Sequence, residues 1–413
     1  MRLFFLECRR ILKSKTTRVT FLIVLIVTLL LTQMLISGEC IYDQDMKPII
    51  SGEEAIEKKR AFSTAIEGLL TPEKLTIARK TYMDFVKEYG DTKSIPSDIY
   101  REKIMPIRAL VFVSTDLMWA YKKDDPYFPE TYSAEDVGNY YNIREEVINR
   151  NLKASIKDDS ISMEKAYALE NRVKKPLYFA DVTSWSNGVE NMGMAMMLVA
   201  IASAITASLV FSAEYRTGSD SILRTMKCGP KRLGLMRIVA TLAIAILFFL
   251  ICVGVMGGRF LNAFGADALQ ASVQIRWPAA IAPLTFGQFI VLCLVVGLLT
   301  NIAVSAFALF VSSHIEMPVI SVGIVIIMMF LPMIIHNNSE SILGNWIRYC
   351  LPSSGISMTN SFLYTTISHE PTFLRFGPWS FWAPVMIVVS SLIFIPIMIF
   401  LTLRSYTHYE SMK

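Results

Sequence analysis

Six long apolar runs alternate with polar segments along the chain, and their lengths suit membrane-spanning helices. A helix needs roughly 20 mostly apolar residues to cross the hydrocarbon core of a bilayer. The predicted spans are Val19–Ile36, Met192–Phe211, Ile238–Gly257, Pro283–Val311, Pro318–Ile335 and Phe381–Leu403. The pattern therefore predicts an all-α polytopic integral membrane protein with six transmembrane helices.

The N-terminal segment Leu3–Thr17 has an amphipathic pattern. At about 100° per residue, one side carries Phe4, Phe5, Cys8, Ile11 and Leu12. The other side carries Arg2, Arg9, Arg10 and Lys13. We predict an elbow helix within residues 1–18 that lies in the membrane interface, with Arg9, Arg10 and Lys13 facing lipid headgroups. The alternative is a plain charged flank to the first span.

The first span, residues 19–37, has two interpretations. A basic region precedes it, as in a secretory signal peptide. However, its apolar run is longer than a usual signal core, and Glu39 before Cys40 fits no cleavage site. We favour an uncleaved anchor.

Residues 38–188 carry dense charge of both signs and no evident spanning run, so they predict an extracellular, mostly helical domain. Expected helices are Glu53–Leu70, Pro72–Tyr89, Ala134–Leu152 and Met163–Lys174. Thr71 is a predicted N-cap before Pro72, and Ser133 with Asp136 resembles a capping box.

Residues 189–403 hold the five further spans, and two polar stretches interrupt them. Residues 212–237 form a loop after the second span. Residues 336–380 are too polar to span but contain Trp346, Tyr349, Phe362, Tyr364 and Trp379, which predicts short re-entrant or interfacial helices. Residues 404–413 form a tail.

Basic residues predict the orientation, because cytoplasmic loops are enriched in Lys and Arg. The N-terminus carries Arg2, Arg9, Arg10, Lys13, Lys15 and Arg18. The loop after the second span carries Arg216, Arg224, Lys227, Lys231, Arg232 and Arg237. The short segments on the other side hold only Arg259, Arg276, Arg348 and Arg375. We expect both termini in the cytoplasm of a plasma-membrane protein.

Composition agrees with this assignment and offers little catalytic chemistry. The chain is 53% hydrophobic, its mean hydropathy is +0.44, and its net charge of +5 does not suggest nucleic acid as a partner. Its histidines and cysteines show no metal-ligand spacing, so no metal site is expected. Cys40 and Cys350 are both expected outside, as a disulfide or as two thiols. No phosphate-binding loop of the GxxxxGK[ST] type occurs, so we expect neither enzymatic activity nor a directly bound cofactor.

Gln288 and Asn301 are the notable polar residues of the fourth span. One interpretation is hydrogen bonding to neighbouring helices. The other is that both line a substrate path. The spans are otherwise almost free of ionisable residues, which disfavours an ion-coupled transporter.

The loop after the second span is the most informative stretch. Glu214 stands at the membrane exit, and a short helix over residues 219–227 is expected before Gly229 and Pro230 stop it. Its apolar face would contain Ile222, Leu223 and Met226. A short amphipathic helix of this kind suits a groove on a cytoplasmic partner.

These features resemble the permease subunits of ABC-type-2 exporters, which have an elbow helix, six spans and a coupling helix between the second and third spans. The motif residues that match are Phe211, Glu214, Tyr215 and Gly218, with Lys231 and Arg232 after the helix and Arg237 at the start of the third span. The Leu3–Thr17 elbow and the segment 336–380 match as well. The resemblance does not address the extracellular domain.

The resemblance implies a permease that pairs with a second copy or homologous half and with separate ATPase subunits, which bind ATP and Mg²⁺. ATP-driven closure of those subunits would reach the membrane through the coupling helix, with Glu214 and the Ile222, Leu223 and Met226 face as the contact. The alternative is a membrane receptor or accessory protein whose extracellular domain binds a ligand or partner. A lipid-embedded enzyme is disfavoured by the missing catalytic residues.

Overall fold

The computed structural model describes residues 2–122, 127–157, 159–218, 229–338, 341–356, 362–368 and 370–408. Helices make up 77% of the structure, and the strands described form three short antiparallel pairs. The predicted all-α class is therefore confirmed. The strand pairs are too short to constitute a layer of their own.

The chain starts with α1 (Arg2–Lys13) and α2 (Lys15–Gly38). The predicted elbow extended to Thr17, but Ser14 has an extended backbone, with φ −57° and ψ 128°. This single non-helical residue lets the amphipathic helix and the apolar helix point in different directions.

Between α2 and the next long apolar helix lies a helical unit. It contains α3 (Glu53–Ile66), α4 (Pro72–Tyr89), α5 (Ser97–Ile99), α6 (Met105–Lys122), α7 (Ala134–Gly138), α8 (Tyr140–Ile156) and α9 (Ser160–Glu170). Its strands pair β1 (Cys40–Tyr42) with β2 (Pro48–Ser51) as a hairpin, and β3 (Gly68–Leu69) with the distant β4 (Tyr178–Phe179). The β3–β4 pair brings distant parts of the unit together.

Local capping explains where several of these helices begin. The Thr71 side chain accepts a hydrogen bond from the Lys74 N–H at 3.3 Å, with Pro72 in the first helical turn. Ser133 and Asp136 form the predicted capping box. Both predicted helix starts are confirmed, because a cap depends on residues only three positions apart.

Four helices differ from prediction. The expected Glu53–Leu70 helix ends at Ile66, because Gly68, with φ +118°, and Leu69 form strand β3 instead. The expected Ala134–Leu152 helix is interrupted at Asn139, since Gly138 and Asn139 are poor helix formers. The expected Met163–Lys174 helix begins earlier, where Asp159 caps Ser162, and ends at Glu170. Helix α6 was not predicted.

The rest of the chain contains the remaining long helices. They are α10 (Thr183–Ser208), α11 (Ser212–Thr217), α12 (Gly229–Phe264), α13 (Phe286–Ser312), α14 (Pro318–Asn338), α15 (Ile342–Cys350), α16 (Phe362–Ser368) and α17 (Ala383–His408). Strands β5 (Phe373–Phe376) and β6 (Trp379–Trp382) form the last hairpin. Segment 336–380 thus holds the two short helices α15 and α16, as the sequence suggests.

Helix α10 is central in the bundle and packs against α2, α12, α13 and α14. Its small residues Ala195, Ala200 and Ala207 are fully buried, which lets neighbouring helices approach closely. In contrast, α2, α14 and α17 present exposed apolar residues such as Leu30, Ile327 and Phe400. These outward surfaces suit contact with lipid.

Among the residues that the structure describes, seven helices are long and apolar enough to cross a membrane, one more than predicted from the sequence. The additional one is Ser97–Lys122, whose mean hydropathy of 1.2 is the lowest of the set. It carries Arg101, Glu102, Arg108 and Asp116, and its α6 part packs against α3, α4 and α8 of the helical unit.

Two contacts connect that unit to the segment between α12 and α13. The Arg60 Nη2 atom of α3 lies 3.2 Å from Asp267 Oδ2. Arg144 of α8 is fully buried and donates to the carbonyl oxygens of Pro278 and Ala280 at 2.8 and 3.0 Å. The helices on both sides of α6 therefore reach the same interhelical segment.

Candidate functional site

The short helix α11 positions Glu214 at the end of the bundle where α10 finishes. Phe211 is fully buried and precedes α11. The helix ends at Gly218, whose φ of +69° is left-handed. Glycine adopts this conformation without the steric penalty of a Cβ, which explains its place at the helix end.

Two arginines from different helices clamp the Glu214 carboxylate. Arg10 of α1 brings its Nη1 atom to 2.5 Å from Glu214 Oε1. Arg237 of α12 brings its Nη2 atom to 2.6 Å from Oε2. Each carboxylate oxygen is thus paired with a guanidinium from a separate helix. The Arg10 contact is a charge-assisted hydrogen bond, one of the stronger kinds that proteins form, and the Arg237 contact is an ion pair.

Glu7 completes a network of four charges. Its Oε2 atom lies 2.7 Å from Arg10 Nε, and its Oε1 atom lies 3.7 Å from Arg237 Nε. Glu7, Glu214 and Arg237 are 6%, 8% and 1% exposed. Because two carboxylates oppose two guanidiniums, the buried group is formally neutral, which limits the cost of removing it from water.

Aromatic rings close the other side of the network. Arg237 Nη1 donates to the Tyr406 hydroxyl at 3.1 Å. Its guanidinium lies 5.9 Å from the ring centroid of Phe211 and 5.4 Å from that of Tyr406, within the range of cation–π attraction. The charged network therefore connects α1, α11, α12 and α17.

The approach of α17 to α12 depends on Gly234. A Cβ added there would lie 2.6 Å from Tyr406 Cδ1. Tyr215 adds a longer contact, because its hydroxyl donates to the Ser313 carbonyl at 3.4 Å. Four of the matched motif residues, Phe211, Glu214, Tyr215 and Gly218, thus surround one junction of helices. Ile222, Leu223 and Met226, with the predicted 219–227 helix, lie outside the described residues.

The elbow residues have different environments. Arg10 belongs to the network, whereas Arg9 and Lys13 are exposed. On the apolar side, Ile11 is buried against Ala240 and Ile244 of α12. The exposed apolar residues of the same helix are Phe5, Leu6 and Leu12. The predicted apolar face is therefore divided between packing on α12 and an outward surface.

The two polar residues of the fourth predicted span have identifiable partners. Gln288 is exposed and accepts from the Thr285 N–H at 3.0 Å in the capping box of α13. Asn301 is fully buried and donates to the Ala245 carbonyl of α12 at 3.1 Å. The capping contact accounts for the polarity of Gln288, whereas the buried Asn301 Oδ1 atom has no hydrogen-bond partner among the described residues. The substrate path stays a prediction.

Sequence reasoning did not identify Glu7 or Tyr406. Glu7 had a usable signal, since it is the only acidic residue among the first 38 and stands within a basic amphipathic helix. Tyr406 had none, because its role depends on α17 returning beside α12. Arg237 was noted as one of the basic residues that predict the orientation and through the resemblance, and its partners were not predicted.

The site is a contact between helices. In the part of the chain that the structure describes, no group of three or more His, Cys, Asp or Glu residues is placed to hold a metal ion. Cys40 and Cys350 have free thiols. The site residues supply opposite charges and aromatic rings that hold four helices together.

The sequence matches the family model described as ABC-2 family transporter protein over residues 73–404. The match runs from the start of α4 into α17, so it includes most of the helical unit as well as the apolar helices. No curated protein and no solved structure is significantly similar to the chain.

Proposed function

Because this chain belongs to the ABC-2 transporter family, we propose that it is the membrane permease subunit of an ATP-driven exporter. In this proposal, motion of the ATPase reaches the membrane helices through the ion pairs of Glu214 with Arg10 and Arg237. ATP and Mg²⁺ bind a separate cytoplasmic ATPase subunit in this proposal. A second copy or a homologous half completes the translocation unit, and membrane lipid surrounds it.

We propose six membrane spans, formed by α2, α10, α12, α13, α14 and α17. Helix α6 belongs to the helical unit outside the membrane. The supporting argument is geometric: Arg60 before α6 and Arg144 after it both contact the segment between α12 and α13. A chain that crossed the bilayer through α6 would place these two arginines on opposite sides.

The orientation places both termini and Glu214 in the cytoplasm and the helical unit outside. The basic residues of the N-terminus and of the 212–237 loop support this choice. Protease treatment of intact cells tests it. Cleavage within residues 38–188 is expected from outside, and cleavage only after permeabilisation contradicts the orientation.

The coupling proposal rests on the two ion pairs of Glu214, one with Arg10 and one with Arg237. Glu214 lies five residues before the 219–228 segment, in which the partner-binding helix is predicted. A displacement of this segment by an ATPase would act on a carboxylate that is ion-paired with both Arg10 and Arg237. Rigid-body motion of helices is a common way to transmit such a change.

Co-purification tests the proposal. The tagged chain is isolated from solubilised membranes, and ATP hydrolysis is measured in the eluate. A soluble ATPase should co-purify and should be lost from the double variant Glu214→Ala with Leu223→Asp. The control is Glu164→Gln, which replaces an exposed glutamate in α9.

The outcomes separate the candidate functions. Loss of the ATPase from the double variant alone supports a permease coupled through this loop. Retention of ATP-driven activity in that variant overturns the coupling site. A single-subunit preparation without ATPase activity favours the receptor or accessory protein.

A further inference from the structure

A cavity of about 360 Å³ lies where the helical unit meets the ends of the apolar helices. Its walls include Ile41 just after α2, Ser63 of α3, Ala109 of α6 and Thr183 at the start of α10. Binding sites for small molecules typically measure roughly 300–1,000 Å³. The cavity is therefore large enough for a ligand, and none of the coupling residues lines it.

Much of the wall is apolar. Phe62 and Ile66 come from α3, and Met105, Pro106 and Phe112 come from α6. Next to the cavity, the exposed ring of Trp119 packs edge-on against the lining residue Tyr127 and extends this apolar character toward the surface. Such a wall favours a ligand with an apolar body, since covering it removes apolar area from water.

The carboxylates in the wall already have hydrogen-bond donors. Asp116 accepts from the Tyr127 hydroxyl. Asp181 Oδ1 accepts from the N–H and the hydroxyl of Thr183 at 3.0 and 2.6 Å. Neither carboxylate depends on a ligand for its partners.

The cations in the wall differ from one another. Lys59 is paired with Glu39, its Nζ lying 2.6 Å from Oε2. Arg108 and Arg276 are half-buried, and among the described residues neither has a carboxylate oxygen within 4.0 Å. Arg276 Nε donates to Ser186 at 3.2 Å, and Arg108 lies over the Phe112 ring at 5.0 Å. Most of their N–H donors are thus available to an anion, for which guanidinium is well suited.

We propose that this cavity binds an anionic amphiphile, whose acyl chain lies against the Phe62, Met105 and Phe112 wall and whose head is held by Arg108 or Arg276. The cavity adjoins the ends of α2 and α10, so either a membrane lipid or a free amphiphile reaches it. The inference rests on the cavity alone and is independent of the coupling proposal.

Photolabelling of the purified full-length chain tests this site. The chain is placed in nanodiscs of phosphatidylcholine and exposed to lysophosphatidylglycerol with a diazirine in its acyl chain. The matched probe is the corresponding lysophosphatidylcholine. We expect the anionic probe to label residues 41–66 and 105–112 about tenfold more strongly, as charge-assisted hydrogen bonds to the head allow.

Different variants test binding of the ligand's anionic head and binding of its acyl chain. Arg108→Gln and Arg276→Gln should together weaken labelling by the anionic probe about tenfold. Ala109→Trp should abolish labelling by filling the cavity while leaving both arginines in place. Arg172→Gln removes an exposed arginine that does not line the cavity, and it should change nothing.

Three results would overturn the proposal. The first is equal labelling by both probes, which removes the requirement for an anionic head. The second is label confined to the outward faces of α2, α14 and α17. The third is full displacement of the anionic probe by millimolar inorganic phosphate, which would show that the site binds only the anionic head. Unfolding temperatures of each variant exclude a folding defect, and Arg276→Lys, which keeps the charge, should retain the preference for the anionic probe.

Discussion

The carboxylate of Glu214 lies 2.6 Å from the guanidinium of Arg237, although 22 residues separate the two in the sequence. Both side chains are almost fully buried. The contact therefore connects α11 to α12, so a movement of one helix relative to the other must change this ion pair.

Replacing Glu214 by Gln should destabilise the protein. The substitution keeps the shape but leaves two guanidiniums facing the single carboxylate of Glu7. Breaking one member of a buried ion pair costs roughly 3–5 kcal/mol, and Glu7 reduces that loss here. Thermal unfolding of the purified protein measures the effect, which should appear as a clear drop in Tm.

Charge balance provides the control for this variant. Adding Arg10→Gln to Glu214→Gln restores one carboxylate for one guanidinium, so part of the lost stability should return. If the double variant is as unstable as the sum of the single variants, Arg10 and Glu214 do not interact as described.

Gly234 should not tolerate alanine. The new Cβ would lie 2.6 Å from Tyr406 Cδ1 and 3.2 Å from Leu403 Cδ1. Overpacking of this kind costs about 1–3 kcal/mol. Gly254→Ala in the same helix is the matched control, since nothing lies within 4 Å of its Cβ. Equal Tm values for the two variants would show that α17 does not pack on α12 at this point.

Local features were predictable from the sequence because they depend on neighbouring residues. Helix α4 has the predicted bounds Pro72–Tyr89, since Thr71 caps one end and Gly90 with φ +90° follows the other. The apolar runs likewise predicted the long helices. The helices can extend beyond the predicted spans, because a span covers only the apolar run. Helix α12, for example, begins at Gly229, before the predicted span that starts at Ile238.

Helix α6 shows where local reasoning is insufficient. Pro106 lies near its start, and a proline within a helical pattern usually predicts a break. The structure accommodates it with a π-helical turn over Tyr100–Ile104, which changes the hydrogen-bond spacing before the proline. Packing against α3, α4 and α8 supports the helix, and none of those contacts is visible in a local pattern.

The candidate site was predictable only in part. Glu214 and Arg10 were identified for separate reasons, one as a coupling residue and the other as a headgroup contact. Their direct contact spans 204 residues of sequence. Glu7 and Tyr406 acquire their roles from the same long-range packing, which no spacing rule encodes.

The capping box of α7 should make stability depend on pH under acidic conditions. Burial opposes ionisation of Asp136, but hydrogen bonds from Ser133 and the nearby Lys122 outweigh it and hold the pKa of Asp136 below its ordinary value of 3.8. A depressed folded-state pKa contributes stability above the unfolded value, which is lost as pH falls through the folded value. Thermal unfolding at pH 7 and pH 3 measures this loss. Asp136→Asn should show a smaller drop, and an unchanged drop would contradict the assignment.

Arg144 should be essential for holding the helical unit to the segment between α12 and α13. Its Nη1 atom lies 2.5 Å from Glu170 Oε1, and its other donors bind two carbonyl oxygens of that segment. Arg144→Met leaves the buried Glu170 with Lys175 at 3.2 Å as its ion-pair partner. Loss of a buried partner should cost roughly 3–5 kcal/mol. Hydrogen exchange should therefore increase both in α8 and around Pro278 and Ala280.

Two companions distinguish this effect from a general loss of positive charge. Arg172→Met removes an exposed arginine and should leave exchange unchanged. Arg144→Met combined with Glu170→Met removes both buried charges, so it should regain stability relative to the single variant. The carbonyl contacts are still lost in the double variant, so faster exchange near Ala280 should persist even as α8 recovers. Full recovery in both places would mean that the ion pair alone, and not the carbonyl contacts, holds this interface.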